Sequence, residues 1–216
     1  MKFQPEAARL RMVEEQIQRR GVSNPKLLEV LKRVPREKFV HPKYLRHAYD
    51  DSALPIPLKQ TISQPYIVAA MVEALDLAPS DRVLEVGTGS GYAAAVLSEM
   101  AQQVYTVERH GLLAQSAQDR LHSLGYHNVQ VKHGDGTKGW PEKAPFDAIA
   151  VAAGGTEVPA ALKAQLREGG RLVIPVGQGE VKRLLLLKRI SADRFESRKL
   201  EKVRFVPLLP DLPESN

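Results

Sequence analysis

A short apolar run followed by three alternate glycines constrains the fold of this chain more than any other feature. The run is residues 83–86, and the glycines are Gly87, Gly89 and Gly91. An alanine-rich stretch with helical spacing comes next. Glycines permit turns that other side chains forbid, and they let a ligand approach the backbone closely. The pattern therefore predicts a buried strand, a tight turn and a helix whose N-terminus faces a ligand.

Short apolar runs alternate with helical stretches from residue 81 onward. This alternation predicts an α/β fold with a doubly wound, mostly parallel sheet and helices on both faces. Two further runs predict an antiparallel pair of strands added to one edge of the sheet. The predicted core strands are 82–86, 103–107, 129–132, 146–152 and 170–176, the helices between them end at 100, 124 and 167, and the added pair is 183–190 and 202–208.

The first 80 residues have a different pattern. Apolar positions at helical spacing predict helices over 5–20 and 25–34, and a third helix over 63–77. The segment 35–64 is punctuated by prolines and has little periodicity, which predicts a long connector. Long ordered connectors are often functional.

Length and composition indicate one globular domain. The chain has 216 residues, of which 43% are hydrophobic and 26% charged. We expect N-terminal helices and an active-site loop in 1–80, a cofactor-binding core in 81–178, and C-terminal strands in 179–216. Cysteine is absent, which excludes disulfides, thiolate metal sites and cysteine nucleophiles and fits a cytoplasmic location.

Charge and hydropathy limit the expected partners. The net charge is +6, but the basic residues are scattered, which favours a solvated basic surface over a stable nucleic-acid partner. The N-terminus lacks the apolar core of a signal peptide, and no apolar run approaches the ~18 residues of a membrane span, so no membrane association is expected. We expect a monomer.

Two acidic residues follow neighbouring predicted strands. Glu108 ends a strand 17 positions after Gly91, and Asp135 lies between Gly134 and Gly136. The glycine spacing G-x-G-x-G differs from the dinucleotide pattern G-x-G-x-x-G, and the turn has no P-loop lysine. Ligands bind at the carboxyl ends of strands in open α/β sheets, where a carboxylate can accept both ribose hydroxyls. These features predict a pocket for an adenosine without a pyrophosphate, although Asp135 also suits a simple turn.

The same motifs resemble those of the seven-stranded S-adenosylmethionine methyltransferases. The run VLEVGTGSG is similar to their first motif, Glu108 to their ribose ligand and Asp135 to their adenine-side residue, while 146–151 and 166–173 are similar to their fourth and fifth strands. This resemblance covers about 75–178. It implies a Rossmann-like, mostly parallel seven-stranded sheet and S-adenosyl-L-methionine as cofactor. It also implies that the cofactor is bound by Glu85, Gly87, Gly89, Gly91, Glu108, Asp135 and Gly136.

The methyl acceptor is constrained by features that the sequence lacks. The loop 152–156 has no [N/D]-P-P-[Y/F] motif, which exocyclic-amine methyltransferases carry after the fourth strand. Pyrimidine-carbon methylation needs a cysteine, and catechol-type O-methylation needs a metal, for which no ligand cluster is seen at usable spacing. An acceptor that is already an anion needs none of these groups.

The residues before the core narrow the acceptor further. Residues 60–65 form a polar junction between the connector and the third helix, where Ser63 suits a helix N-cap. The run T-I-S-Q-P at 61–65 resembles the protein-L-isoaspartate O-methyltransferase family, as do 34–40 and 203–208. This resemblance extends from about residue 10 to 209. It implies a repair enzyme that methylates the free carboxylate of L-isoaspartyl, and also D-aspartyl, residues in damaged proteins.

The resemblance also implies residue roles. Ser63 is the active-site serine, and Gln60, Thr61, Ile62 and Ser63 lie beside the methionine part of the cofactor. A main-chain carboxylate is ionised at neutral pH, so Ser63 would orient the acceptor by a hydrogen bond and no general base is needed. One departure is Lys59, which stands where the family commonly has glycine; it could help to draw in an acidic peptide.

Two alternative functions stay open at this point. One is an S-adenosylmethionine-dependent methyltransferase that acts on a small molecule or RNA, which the basic net charge favours. The other is a methyltransferase-like binding module that has lost activity.

Overall fold

Residues 3–212, which the computed structural model describes, form six α-helices and nine strands. The helices are α1 (Pro5–Arg11), α2 (Pro25–Arg33), α3 (Pro65–Leu75), α4 (Tyr92–Met100), α5 (Gly111–Ser123) and α6 (Ala160–Ala164). The strands are β1 (Leu54–Pro55), β2 (Thr61–Ile62), β3 (Arg82–Val86), β4 (Gln103–Glu108), β5 (Val129–His133), β6 (Phe146–Val151), β7 (Leu166–Val176), β8 (Val181–Arg189) and β9 (Phe195–Arg204). Among these residues, no helix has the length and apolar character that a membrane crossing requires.

A seven-stranded sheet carries the core. Its strand order is β5-β4-β3-β6-β7-β8-β9, and the first five strands are parallel. Strands β8 and β9 add to β7 as an antiparallel pair. The predicted α/β fold, with its mostly parallel sheet and its antiparallel edge, is confirmed.

Apolar side chains alternate between the two faces of the sheet. On β3, Val83 packs into a core cluster with the N-terminal helices, α3 and α4, whereas Leu84 and Val86 pack into a cluster on the opposite face with Leu162 of α6. All four of these side chains are at most 2% exposed. Because both faces of the strand are covered, residues 83–86 of β3 are apolar except for the buried Glu85.

The N-terminal helices follow the predicted pattern closely. The chain stays helical from Pro5 to Arg20, through a π-helical stretch over Met12–Ile17, until Gly21 adopts φ +101°. Asn24 then caps α2 by accepting a hydrogen bond from the Leu27 N–H at 3.1 Å. The connector contains short 3-10 turns and the small pair β1–β2, as expected for a segment without periodicity.

Two predicted boundaries are wrong. Strand β9 spans Phe195–Arg204 and not 202–208, because its alternating charged residues leave no apolar run to mark an edge strand. Helix α6 ends at Ala164, and β7 begins at Leu166, which pairs with Phe146. A shift in the register of β6 and β7 follows this first pair, so the strand starts before the Gly169–Gly170 turn that the sequence suggests as its beginning.

Candidate active site

The glycine-rich turn joins β3 to α4 and has the conformation that glycine permits. Gly87, Gly89 and Gly91 have φ values of +95°, +52° and +88°. The turn is closed by the Gly91 N–H, which donates to the Thr88 carbonyl at 2.8 Å. A Cβ on Gly91 would lie 3.3 Å from Leu121 of α5, so this glycine faces a packed helix. A Cβ on Gly87 or Gly89 would be 3.5 Å from its nearest neighbour, Ala152 or Ile56.

A cavity opens at the carboxyl ends of the central parallel strands, beside this turn. It is bordered by the glycine turn, the end of β4, the loop before α3 and the segment after β9. The predicted site residues that line it are Gln60, Thr61, Ile62, Ser63, Gly87, Gly89, Glu108 and Gly136. The predicted residues that do not line it are Glu85, Gly91 and Asp135.

Glu108 ties the end of β4 to the glycine turn. Its side chain is buried, and its Oε2 accepts a hydrogen bond from the Gly89 N–H at 2.9 Å. Its Oε1 accepts from the His110 N–H at 3.0 Å. Each carboxylate oxygen has a further lone pair, so both oxygens can accept one more donor from the cavity.

Glu85 is buried behind the turn. Its Oε2 accepts a hydrogen bond from the Thr106 hydroxyl at 2.5 Å, and the hydroxyl oxygens of Thr106 and Thr88 are 2.6 Å apart. Its Oε1 has no hydrogen-bond partner within residues 3–212. Burial raises the pKa of Glu85 to about 8; the Thr106 hydrogen bond opposes this shift and the charge of Glu108 adds to it. Glu85 therefore reaches the cavity only through Thr88, which does line it.

Asp135 is engaged by its own loop. Its Oδ1 accepts hydrogen bonds from the N–H and the hydroxyl of Thr137, at 2.8 and 2.7 Å, and its Oδ2 accepts from the Asp211 N–H at 3.1 Å. Burial raises the pKa of Asp135, but these hydrogen bonds outweigh it and leave the pKa below its ordinary value. The carboxylate therefore stabilises the turn that the flanking glycines predict. The adjacent Gly136 lines the cavity.

Ser63 lies at the cavity and does not cap a helix. Helix α3 begins at Pro65, its N-cap is Gln64, and no side chain makes a capping hydrogen bond there. The predicted N-cap role of Ser63 is therefore wrong. The reason is that Pro65 fixes the first helical residue, which places the capping position one residue after the serine. This leaves the Ser63 hydroxyl free of any helix-capping bond.

Neighbouring contacts hold the loop before α3 against the glycine turn. Strands β1 and β2 pair Leu54 with Ile62, and the Ile56 N–H donates to the Gln60 carbonyl at 2.9 Å. A Cβ built on Gly89 would lie 3.5 Å from Cδ1 of Ile56. A side chain at Gly89 would therefore contact this loop, and glycine lets the loop that carries Ser63 lie close to the turn that begins α4.

The sequence did not predict the segment that closes the cavity. Residues 205–209, here called the C-terminal strap, leave β9 and line the cavity. The Gly154 N–H donates to the Val206 carbonyl at 2.8 Å, and the Leu208 N–H donates to the Gly154 carbonyl at 2.9 Å. These residues belong to the run 203–208 that resembles the family's ending, which was the one available indication of a role at the site.

Known proteins similar to this chain match nearly all of it. The family model described as Protein-L-isoaspartate(D-aspartate) O-methyltransferase matches residues 7–212. The chain belongs to this family. A protein-L-isoaspartate O-methyltransferase of Methylorubrum extorquens (strain PA1) is 56% identical over 202 residues, covering 94% of this chain and 88% of that protein. Protein-L-isoaspartate O-methyltransferase 1 of Rhodopseudomonas palustris (strain HaA2) is 55% identical over 206 residues, covering 95% and 84%.

Solved structures agree with this membership. A protein-L-isoaspartate O-methyltransferase matches with a TM-score of 0.85 at 31% identity, covering 94% of this chain and 67% of that chain. A putative protein-L-isoaspartate O-methyltransferase from Plasmodium falciparum, in complex with S-adenosyl-L-homocysteine, matches with a TM-score of 0.81 at 25% identity, covering 93% and 98%. Family membership confirms the predicted fold, the protein-repair methyltransferase activity and S-adenosyl-L-methionine as the cofactor.

The backbone at Lys59 has a conformation that favours glycine, the residue that the family resemblance leads us to expect there. Leu58 and Lys59 have φ values of +58° and +57°, two consecutive residues in the left-handed region. A side chain in this region costs roughly 1–2 kcal/mol, which glycine avoids. The loop keeps its turn with lysine in place, and the Lys59 side chain is exposed beside the cavity residue Gln60.

Proposed function

We propose that Ser63 and the cavity beside the glycine turn form the site at which this methyltransferase esterifies the free carboxylate of L-isoaspartyl and D-aspartyl residues in damaged proteins. One observation carries the assignment. Ser63 lines the same cavity as Glu108 and Gly89 and takes no part in capping α3. The predicted acceptor residue therefore shares one cavity with two of the predicted cofactor residues, Glu108 and Gly89.

The residues around the cavity fit S-adenosyl-L-methionine. Glu108 offers two buried carboxylate oxygens with a free lone pair each, which suits the two hydroxyls of a ribose. Gly87 and Gly89 leave room for a ligand to approach the backbone. Gly136 allows the loop after β5 to lie against Val86, because a Cβ there would overlap that side chain. When bound, the cofactor supplies a methyl group on a sulfonium.

The acceptor needs orientation and no deprotonation. A main-chain carboxyl has a reference pKa of about 3.3–3.7, so it is ionised at neutral pH. The Ser63 hydroxyl would donate a hydrogen bond to one carboxylate oxygen, and the N-terminus of α3 favours the negative charge. Holding two reactants in line can contribute about 7–11 kcal/mol. The backbone amide nitrogen of the following residue then attacks the ester, and methanol leaves with the amide proton. Hydrolysis of the resulting succinimide partly restores aspartate.

The remaining expectations are part of the same proposal. We infer a cytoplasmic monomer with no stable nucleic-acid partner; the absence of cysteine and the scattered basic residues support this. We also keep the division into N-terminal helices and active-site loop (1–80), cofactor core (81–178) and C-terminal strands (179–216). The position of β3 to β7 around the cavity supports that division. Glu85, Gly91 and Asp135 would support the cofactor site from behind, through Thr88, α5 and the loop after β5.

Labelled methyl transfer to matched peptides tests the function. Three peptides with the same sequence would carry L-isoaspartate, D-aspartate or L-aspartate at one position. We expect label in the first two and background in the third. Equal labelling of the L-aspartyl peptide, or label in a structured RNA and none in the isoaspartyl peptide, would contradict the assignment.

A further inference from the structure

Lys182 is a buried lysine that the proposed reaction does not yet use. It lies in β8 with 9% of its surface exposed, and its ammonium donates one hydrogen bond, to the Gly177 carbonyl at 2.9 Å. None of the ion pairs within residues 3–212 includes it. The buried ammonium therefore has no carboxylate partner among these residues. It also uses only one of its three N–H groups in a hydrogen bond.

The side chain of Lys182 lies across the loop that borders the cavity. A Cβ built on Gly154 would overlap Cδ and Cε of this lysine, so only glycine lets the stem pass. Gly154 follows Ala153, which lines the cavity, and its backbone pairs with the C-terminal strap. The loop residues Ala153 and Gly154 therefore lie between the lysine and the cavity.

The direction of α3 places Ser63 at the same end of the sheet as Lys182. The guanidinium Nε of Arg171, near the start of the parallel part of β7, donates to the Leu75 carbonyl at the end of α3 at 2.7 Å. The 11 residues of α3 and the strand segment 171–176 both span about 16 Å. The first turn of α3 thus lies over the carboxyl end of β7, where Gly177 accepts from Lys182.

Lys182 also projects from the face of the sheet that α3 covers. It stands opposite Val203 of β9 in an antiparallel pair, and opposite residues in such a pair share a face. Val203 belongs to the core cluster that contains Val68 and Val72 of α3. Lys182 and Ser63 therefore share both a face and an edge of the sheet.

We propose that Lys182 is a positioning residue whose positive charge draws the acceptor carboxylate to Ser63. This rests on the proposed function of that site. The carboxylate loses its charge as it is methylated, so a nearby cation stabilises the bound substrate at least as much as the transition state. Such an interaction lowers KM and leaves kcat nearly unchanged. The same ammonium repels the sulfonium of the cofactor, which S-adenosylhomocysteine lacks.

Charge-removing variants test this role. Lys182→Met keeps the stem on Gly154, and Lys182→Gln keeps an N–H donor for Gly177. At low ionic strength, we expect either variant to raise KM for an isoaspartyl peptide about three- to tenfold, with kcat within about twofold of wild type. The difference should shrink in 0.5–1 M salt, at roughly a 3–4 Å Debye length. Lys182→Arg, which keeps the charge, should restore most of the affinity.

A second readout separates charge from structure. Removing the ammonium should tighten binding of S-adenosylmethionine relative to S-adenosylhomocysteine by about two- to threefold. The matched control is Lys188→Met, on the same strand and exposed, opposite Arg171 at the far end of the sheet. It removes one charge from the chain. It should leave KM unchanged, as well as the ratio of the affinities for S-adenosylmethionine and S-adenosylhomocysteine.

The outcomes distinguish the two proposals. A wild-type enzyme that methylates no isoaspartyl peptide overturns the proposed function. An active wild type with a folded Lys182→Met variant that matches Lys188→Met in KM overturns the role of Lys182 alone. A salt-independent loss of kcat does the same, because it indicates a structural role. If Lys182→Met does not fold, the KM values of Lys182→Gln and Lys182→Arg are compared instead, and equal values overturn the role of Lys182.

Discussion

The Gly89 N–H donates to the Glu108 carboxylate at 2.9 Å and so joins the glycine turn to the end of the neighbouring strand. This bond fixes the carboxylate beside a part of the turn that lines the cavity. The oxygens that we assign to the ribose therefore have little freedom before the cofactor arrives.

Replacing Glu108 tests the ribose assignment. Hydrogen bonds to a charged group contribute about 1.5–3 kcal/mol each, so Glu108→Ala should weaken S-adenosylhomocysteine binding at least about tenfold in calorimetry. Glu108→Gln keeps the shape of the side chain and should bind with intermediate affinity. Equal binding of 2′-deoxy and normal cofactor analogues to the wild type would mean that Glu108 does not hold the ribose.

Replacing Lys59 tests the strain in the active-site loop. Its φ of +57° suits glycine, so Lys59→Gly should raise the free energy of unfolding by about 0.5–1 kcal/mol, after allowance for the greater freedom of glycine in the unfolded chain. Urea denaturation would measure the change. Lys59→Ala is the matched control, because it removes the side chain but keeps the strain. A glycine variant no more stable than the alanine variant would show that the loop carries no such strain.

Replacing Ser63 separates orientation from stability. Because Ser63 is not the N-cap of α3, Ser63→Ala should change the free energy of unfolding by less than about 0.5 kcal/mol. Loss of a hydrogen bond to the acceptor carboxylate should lower kcat/KM about 10- to 100-fold. Ser63→Thr keeps the hydroxyl and should recover part of the activity. A stable alanine variant with normal turnover would remove Ser63 from the site.

Much of the fold could be predicted because its signals are local. Strand β3 matches its predicted bounds, since an apolar run covered on both faces ends at a glycine turn. The charged edge strand β9 was misplaced, because nothing in its own residues repeats with the period of a buried strand. The same holds for the segment 205–209, whose contacts with Gly154 join positions more than 50 residues apart.

Site residues were predicted by type more readily than by placement. Glu108 and Ser63 line the cavity, as the motifs imply: Glu108 is the last residue of β4, and Ser63 lies just before α3. Glu85 is buried on its strand, where it accepts a hydrogen bond from Thr106. This contact cannot be predicted unless the neighbouring strand is known. The stem of Lys182 can pass Gly154 only because that residue lacks a side chain, which the sequence shows but does not explain.

The buried carboxyl of Glu85 should make stability depend on pH. Its folded pKa of about 8 lies above its ordinary value of 4.5, so the folded state holds the proton more tightly and stability falls as pH rises from about 4.5 to 8. Glu85→Gln mimics the protonated form. From pH 5 to pH 8, the free energy of unfolding of this variant should rise relative to wild type, by up to about 4 kcal/mol. A difference that stays constant across this range in urea denaturation would contradict the buried, protonated carboxyl.

The pH dependence of the chemical step separates a carboxylate acceptor from most others. An amine or hydroxyl acceptor must lose a proton, so its enzyme shows a limb set by a general base. An isoaspartyl carboxylate has lost its proton well below neutrality, and Ser63, Thr61 and Gln60 are not bases. The rate of methyl transfer should therefore be nearly independent of pH from about 6 to 8, with a loss only toward acid.

Single-turnover rates at saturating cofactor are the measurement that checks this, because product release can mask chemistry in the steady state. Hydrolysis of the methyl ester at high pH must be subtracted. Glu85→Gln is the control for ionisation of Glu85, a buried carboxyl whose pKa lies near this range. Any slope that this variant removes belongs to Glu85 and not to the acceptor. A rate that rises tenfold per pH unit in both proteins would require a base, and the acceptor would then be an amine or a hydroxyl and not a carboxylate.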